Sequence, residues 1–271
     1  MNFIKEYVNK INAGEEVVSS KVKILYNKLS NDIDNPKEIE IYDEINEEYE
    51  KHRYIFDEEK ANRPIEFIET FCRHSKGRKW GGKPVILELW QKAFISAIFG
   101  FVDEETGYRK YKKALLFIAR KNGKSTLAAA IGLYMLMSDG EAGAECYSIA
   151  TKKDQAKLVW REAKRMIKKS PVLLKRVKPL VSELYYEEEE AIFQPLGSDS
   201  DTLDGLNASF VAADEVHAMK DKNIIDVTYD SMSSREQPVF LETSTMGTIR
   251  ENVFDDEYEY AKNIINGYYL L

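Results

Sequence analysis

The run Ala119-Arg120-Lys121-Asn122-Gly123-Lys124-Ser125-Thr126 follows a strand-length apolar segment, Ala114 to Ala119, and opens an almost wholly apolar, Ala/Leu/Met-rich segment, Thr126 to Met137. The first segment suits a buried parallel strand and the second a buried helix. Between them, Gly123-Lys124-Ser125 reads as a phosphate-binding loop. Backbone N–H groups of such a loop and of the helix start face an anion, the lysine reaches the outer phosphates, and the serine hydroxyl can ligate Mg²⁺. That chemistry points to ATP or GTP. The usual pattern has glycine five places before Gly123, where this chain has Ile118. The alternative is a βα turn whose lysine points into solvent, and the strand-loop-helix context favours the phosphate reading.

At 271 residues the chain can bury a sizeable core, as one large domain or a domain with an appendage. It carries no run of eighteen apolar residues and no basic-then-apolar leader, so neither a membrane span nor a secretory signal is expected. Cys72 and Cys146 lack metal-ligand spacing and read as buried thiols in a reducing compartment. With three histidines, His52, His74 and His217, no zinc cluster is expected. The net charge of −7 excludes a protein that coats nucleic acid with its whole surface but leaves room for local patches. One such patch lies between Lys152 and Lys178, with eleven Lys/Arg against Asp154 and Glu162. The acidity sits in Glu38 to Glu59 and in Glu187 to Glu190.

Residues 1–60 are polar and acidic, with helical spacing in Phe3/Ile4/Val8/Ile11 and Val22/Ile24/Leu25/Leu29, broken at Gly14 and Asn35-Pro36. They read as a helical arm on a main body, 61–271. In that body Ile65/Phe67/Ile68/Phe71 is a helix-like stripe, Lys76 to Lys83 a Gly-rich basic loop, and Val85 to Gln91 the lead into an apolar helix ending near Gly100. After the phosphate loop the pattern predicts a strand at 146–150, a helix at 153–169 stopped by Pro171, and an ambiguous stretch to Leu184. Strands follow at 191–195, 208–213 and 238–243, with a turn-rich segment at 197–201. The alternation predicts an α/β fold with a mostly parallel sheet flanked by helices.

The strand Ser209 to Ala213 ends in Asp214-Glu215. An Asp at a strand end can hold Mg²⁺, and the adjacent Glu can orient and deprotonate a water in line with a γ-phosphate. The alternative is a strand leaving into an acidic turn. His217 reads as a hydrogen-bonding neighbour of this site. Thr243-Ser244-Thr245 ends another strand, either beside the γ-phosphate or simply as a hydroxyl cluster leading to the Gly247 turn.

The ordered set Leu89-Trp90-Gln91, Ala119 to Ser125, Ala150-Thr151 with Gln155-Ala156, Asp214 to His217, Arg235 to Pro238, and Ser244-Thr245 resembles the large terminase subunit of tailed bacteriophages, in the HK97-like branch. The resemblance runs over most of the chain and implies a P-loop (RecA-like, ASCE) ATPase in which Arg-Lys-Asn-Gly-Lys-Ser is an accepted phosphate loop. It implies that Gln91 contacts adenine, that Arg120, Asn122, Gly123, Lys124, Ser125 and Thr126 bind ATP, and that Ser125 and Asp214 hold Mg²⁺. Glu215 is then the catalytic base, Arg120 and Lys124 act on the γ-phosphate, and Ser244 and Thr245 form the coupling motif. A guanidinium on the transferring phosphoryl group contributes about 10³ to 10⁵ in rate.

The implied function is the ATP-hydrolysing motor of viral DNA packaging, moving double-stranded DNA into a capsid. The implied partners are other copies in a ring, the small terminase subunit and the capsid portal, without a membrane, in the cytoplasm of an infected bacterial host. Large terminases generally carry a C-terminal nuclease domain. The tail 251–259 has acids but no following elements to build one, so the chain reads as the ATPase portion without DNA cleavage. On the helix 153–169, Lys153, Lys157, Arg161, Lys164, Arg165 and Lys168 make one basic face opposite Ala156/Val159/Trp160/Ala163/Ile167. That face suits the DNA backbone, a neighbouring acidic subunit, or solvent alone. Two other functions stay open: a nucleotide-gated ring-assembly module with little hydrolysis of its own, and a superfamily-2-like helicase, which would need a second RecA-like domain.

Overall fold

The computed structural model describes residues 1–43, 46–197, 203, 205–219, 222–245 and 252–268. The chain forms two compact units, one built from Met1–Glu66, Leu87–Lys112 and Lys262–Leu271, the other from Phe67–Ile86 and Lys113–Ala261. Among the described residues no helix is long and apolar enough to cross a membrane.

In the first unit, helix α1 (Phe3–Ala13) starts where Asn2 accepts the Lys5 N–H, and ends at Gly14 with φ 78°, a left-handed stop that glycine adopts without penalty. Helix α2 (Ser20–Asp34) starts at Ser19. The Tyr7 and Tyr26 rings meet edge to face at 4.9 Å, in a cluster with Ile4, Val8, Ile11 and Leu29. Ile24, expected on the buried stripe, is exposed, and Tyr26 is buried in its place.

Helical character does not continue through the arm. Strands β1 (Glu38–Asp43) and β2 (Glu48–Phe56) pair antiparallel. The charge of this stretch favours a helical reading, but Glu38-Ile39-Glu40-Ile41 alternates with period two, and Glu38 and Glu40 lie opposite Arg53 and Lys51. Helix α3 (Glu58–Phe71) begins before Pro64 and contains it. Helix α4 (Leu89–Gly100) leads into β3 (Phe101–Asp103), which pairs with β2.

The second unit is a mixed α/β fold around a central sheet. Its elements are β4 (Lys113–Phe117), α5 (Lys124–Met137), β5 (Glu145–Ala150), α6 (Lys153–Lys169), α7 (Pro171–Arg176), β6 (Val177–Pro179), β7 (Leu184–Tyr186), β8 (Ala191–Gly197), β9 (Ala208–Asp214), α8 (Asn223–Asp230), β10 (Val239–Ser244) and α9 (Val253–Ile265). The strand order is β4-β10-β9-β5-β8-β7-β6. The five strands from β4 to β8 are parallel, and β7 and β6 add an antiparallel edge. That edge occupies the stretch whose pattern is ambiguous, and Pro171 both follows the end of α6 and opens α7. The turn-rich residues 198–201, the Gly247 turn and Glu251 lie outside the described residues.

Every residue of β9 and β10 is buried, which is why both read as continuous apolar runs. Helix α5 is buried almost all round, and Gly132 sets how closely it meets the sheet. A Cβ there would stand 2.8 Å from Phe193 Cε1 and 3.0 Å from Phe210 Cε1. Cys72 and Cys146 are free, buried thiols.

One buried charge cluster lies under β10. Glu242, with no exposed surface, has Lys113 Nζ at 3.1 Å but outside hydrogen-bonding geometry; the same ammonium donates to Glu257 Oε2 at 2.7 Å. Burial pushes the Glu242 carboxyl up to about 7, against the pull of Lys113.

Two measurements follow. Gly132→Val should lower the free energy of unfolding by about 2 kcal/mol in urea, because overpacking against two core rings outweighs the gain over glycine in helix propensity. Native Glu242 holds its proton to about pH 7, while an unfolded Glu releases it near the ordinary value of about 4.3. Unfolding therefore releases a proton in that window, and stability should fall as pH rises through it. Glu242→Gln should flatten that dependence in melts recorded from pH 5 to 8.

Candidate functional site

The parallel strands β4, β9 and β10 end on the same edge of the sheet, in tight register. Phe117 lies beside Ser244, Asp214 lies beside Thr243, and the Ile118 N–H donates to the Ser244 carbonyl at 3.3 Å. The loop before α5, the carboxylates after β9 and the hydroxyls ending β10 are thereby gathered at one place, the edge where α/β sheets bind ligands.

The loop turns onto α5 through left-handed backbone at Lys121 (φ 68°) and Gly123 (φ 82°). Glycine takes this conformation freely, whereas Lys121 is strained by roughly 1–2 kcal/mol. Gly123 is the N-cap of α5 and brings no side chain to the helix start. The first-turn N–H groups, with the positive end of the helix dipole, are left to an anion. Arg120, Lys121 and Asn122 stand exposed on the loop.

Lys124 turns the other way. It is 7% exposed, and its Nζ donates to Glu215 Oε1 at 3.1 Å. Glu215 itself sits in left-handed backbone, φ 56°, at the start of a short 3₁₀ turn, Val216–Ala218. Its second oxygen, Oε2, accepts from Thr245 Oγ1 at 3.3 Å and lies 3.1 Å from His217 Nδ1. The backbone N–H of His217 donates to Ser244 Oγ at 3.3 Å. Asp214 is buried, and its Oδ1 accepts from Thr243 Oγ1 at 2.6 Å and from the Glu215 N–H at 3.1 Å. Burial raises the Asp214 carboxyl above its usual range and Glu215 adds to the rise, while Thr243 and Lys124 hold it down.

The structure thus gathers Lys124, Asp214, Glu215, Ser244 and Thr245, with His217 as a hydrogen-bonding neighbour. Ser125 and Thr126 are half-buried in the first turn of α5. Gln91 belongs to the first unit, where its side chain closes a capping box by accepting the Glu88 N–H at 2.9 Å.

The basic row on α6 divides. Its apolar side, Ala156/Val159/Trp160/Ala163/Ile167, is buried. Lys153 and Lys168 are exposed, Lys157 pairs with Asp154 at 3.0 Å, and Lys164 donates to the Leu180 carbonyl while lying over the Trp160 ring. Arg161 and Arg165 line a cavity that also reaches Ser125 and Thr126.

Two residues of this region carry weak sequence signals. Thr243 lies in the hydroxyl run, but only the strand register assigns it to Asp214. Glu162 sits on the buried stripe of α6, three residues after Val159 and four before Met166, an acid among cations and apolar residues; that misfit is its sequence signal.

Residues 89–263 match the family model described as "Terminase large subunit, ATPase domain". The chain is similar to the large terminase subunit of Enterobacteria phage HK97, with 29% identity over 191 residues, covering 69% of this chain and 36% of the phage protein. It is similar to the crystal structure of the HK97 large terminase, at 26% identity and a TM-score of 0.63, over 75% of this chain and 42% of that one. The chain thus spans about a third of the length of the curated relative it matches.

Thr243→Val removes the donor that holds a buried carboxylate. Hydrogen bonds to charged groups contribute about 1.5–3 kcal/mol. The loss of unfolding free energy should approach that range where Asp214 is ionised and shrink as acid protonates it, which its raised pKa brings on at higher pH than for an ordinary Asp; denaturant titrations from pH 8 down to pH 4 test this.

Proposed function

The chain belongs to the terminase large-subunit ATPase-domain family, and from that premise we propose that it hydrolyses ATP as the motor domain of a viral DNA-packaging machine. The observation that carries this reading is the ion pair between buried Lys124 and partly exposed Glu215, with Thr245 on the other Glu215 oxygen. It unites a cation suited to the outer phosphates, a carboxylate suited to a water, and a hydroxyl on the neighbouring strand end. The strand order, with β10 between β4 and β9, supports the finer assignment to the RecA-like, ASCE class of P-loop folds.

In this mechanism the N–H groups of Gly123 to Thr126 cradle the phosphates, and Lys124 exchanges Glu215 for the γ-phosphate. Glu215, released, aligns an attacking water and takes its proton. General-base catalysis of this kind contributes typically 10²–10⁴ in rate. Arg120, exposed on the loop tip, neutralises charge on the transferring phosphoryl group. Ser125 and Asp214 suit Mg²⁺, which binds through one or two protein groups together with substrate phosphates; when bound, it offsets charge on the phosphate oxygens. Because Glu215 bonds Thr245 and His217 bonds Ser244, the end of β10 responds to which partner Glu215 holds.

The same reading assigns double-stranded DNA as the moved substrate, and further copies in a ring, a small terminase subunit and a capsid portal as partners. The place of action is the cytoplasm of an infected bacterial host.

ATP turnover should be measured with and without double-stranded DNA. Lys124→Ala should lower turnover at least about 100-fold and weaken nucleotide binding, whereas Glu215→Gln should lower it as far while leaving binding near wild type. Turnover by either variant at the wild-type rate overturns the proposal.

A further inference from the structure

Two residues past Glu215, the imidazole of His217 turns back toward the carboxylate. The 3₁₀ turn that brings it there is closed by the Ala218 N–H on the Glu215 carbonyl at 2.8 Å and the Met219 N–H on the Val216 carbonyl at 3.0 Å. It starts from left-handed backbone at Glu215, φ 56°. In a residue other than glycine such backbone persists only where the surroundings over-determine it, and such positions cluster at active sites. The His217 side chain is 16% exposed; its Nδ1 hydrogen-bonds Ser244 Oγ at 3.2 Å, and Glu215 Oε2 lies 3.1 Å from the same nitrogen.

The donors and acceptors around Nδ1 fix its protonation. A carboxylate oxygen only accepts, and a serine hydroxyl has one proton and two acceptor sites. Ser244 gives its proton to the Thr245 carbonyl at 3.1 Å and uses one acceptor site for the His217 N–H at 3.3 Å. Both neighbours of Nδ1 therefore present acceptors. A bare Nδ1 would set its lone pair against the Glu215 carboxylate, so the ring proton is assigned to Nδ1 by what surrounds it.

One N–H thus faces two acceptors, and their charge decides between them. While Lys124 holds Oε1, the charge of the carboxylate is partly compensated and the bond goes to Ser244. Once the ammonium moves to a phosphate, Glu215 is uncompensated, and a charge-assisted hydrogen bond is roughly twice as strong as a neutral one.

We propose that His217 is a positioning residue for hydrolysis: when Lys124 leaves Glu215, the Nδ1–H hydrogen bond passes from Ser244 to Oε2 and fixes the carboxylate with Oε1 toward the attacking water. The inference rests on the hydrolysis reading and names which oxygen of Glu215 is the base. The water gives a proton to Oε1 while its oxygen bonds the γ-phosphorus; the bond from that phosphorus to the bridging oxygen breaks, and its electron pair leaves with ADP. Thr245 Oγ1 and His217 Nδ1 both lie against Oε2. The oxygen that Lys124 vacates is then the one without a donor, free to take the proton. The same shift deprives Ser244 of a donor, so the end of β10 registers the departure of Lys124.

Two measurements test this. The first is ¹⁵N spectroscopy of the imidazole rings of the full chain at pH 8.5, with His217→Asn identifying the His217 signals among the three histidines. A protonated Nδ1 and a bare Nε2 are expected; the reverse overturns the proposal. The second is ATP turnover, together with affinity for a non-hydrolysable ATP analogue, in variants whose fold is checked by circular dichroism. His217→Ala removes the donor and should lower kcat at least about tenfold, with analogue affinity within about twofold of wild type. His217→Asn sets an amide N–H where Nδ1 stood and should recover kcat to within about threefold of wild type, whereas His217→Gln, whose donor lies farther out, should stay slow. An Ala variant at the wild-type kcat, or an Asn variant as slow as the Ala one, overturns the role. Wild-type turnover no faster than that of Lys124→Ala overturns the hydrolysis reading and this role with it, while the spectrum decides the protonation of Nδ1 separately.

Discussion

A lysine ammonium taken out of water must find a negative partner, and Lys124 finds Glu215, just past the end of β9, 3.1 Å away. Much of the second unit can be understood as what places those two groups there. The ammonium arrives because β4 runs directly into α5 through a loop with two left-handed residues. The carboxylate arrives because β9, buried along its whole length, stops at Asp214 and turns sharply through Glu215 in left-handed backbone. Removing Glu215 leaves the buried Lys124 ammonium without its partner, whereas Glu215, whose side chain is 37% exposed, can turn to water. The pair is thus held until another charge can replace one member, which is the property a phosphate-responsive site needs.

How much of this is legible in the sequence follows from how strongly burial writes on a segment. Strands β5, β9 and β10 are buried on both faces, and β4 and β8 are at least partly buried along their length, so all five read as largely apolar runs within a residue or two of their ends. Helix α6 reads as well, because its two faces differ sharply. The hairpin β1–β2 is mostly exposed, so its glutamates and lysines obscure the short alternation Glu38-Ile39-Glu40-Ile41. The edge strands β6 and β7 are three residues each, too short for any period to emerge. Within the site, the motif residues Lys124, Asp214 and Glu215 are visible because their chemistry fixes their spacing to strand and helix ends. Thr243 and Glu162 are not, since each acquires its role from a neighbour distant in sequence, and only register or helix packing supplies the neighbour.

The basic segment shows a related limit of charge counting. The excess of cations between Lys152 and Lys178 is real, yet it does not form one surface. Lys157 and Lys164 are engaged by Asp154 and the Leu180 carbonyl, and Arg165 is drawn toward Glu162. One buried acid on the apolar stripe thus gives a basic helix a local counter-charge, while Arg165 beside it stays exposed. A periodicity argument places all six cations on a single face. The structure distinguishes those that border a cavity with Ser125 and Thr126 from those that face solvent.

Strand β10 gathers these constraints into one element. Successive polar side chains at its end have different partners: Glu242 with Lys113, Thr243 with Asp214, Ser244 with His217, and Thr245 with Glu215. The first of these lies beneath the sheet edge, in a cluster anchored by Glu257 of α9. The last three lie among the groups that surround Lys124. Under the proposed function, a change in the partner of Glu215 removes or redirects the bond to Thr245, while Thr243 stays tied to Asp214 in low-dielectric surroundings where that bond is costly to break. Movement set off at the site is therefore borne, under the same function, by Ser244 and Thr245, because Thr243 before them is held. This asymmetry is what would convert exchange of one ionic partner into displacement of the end of β10.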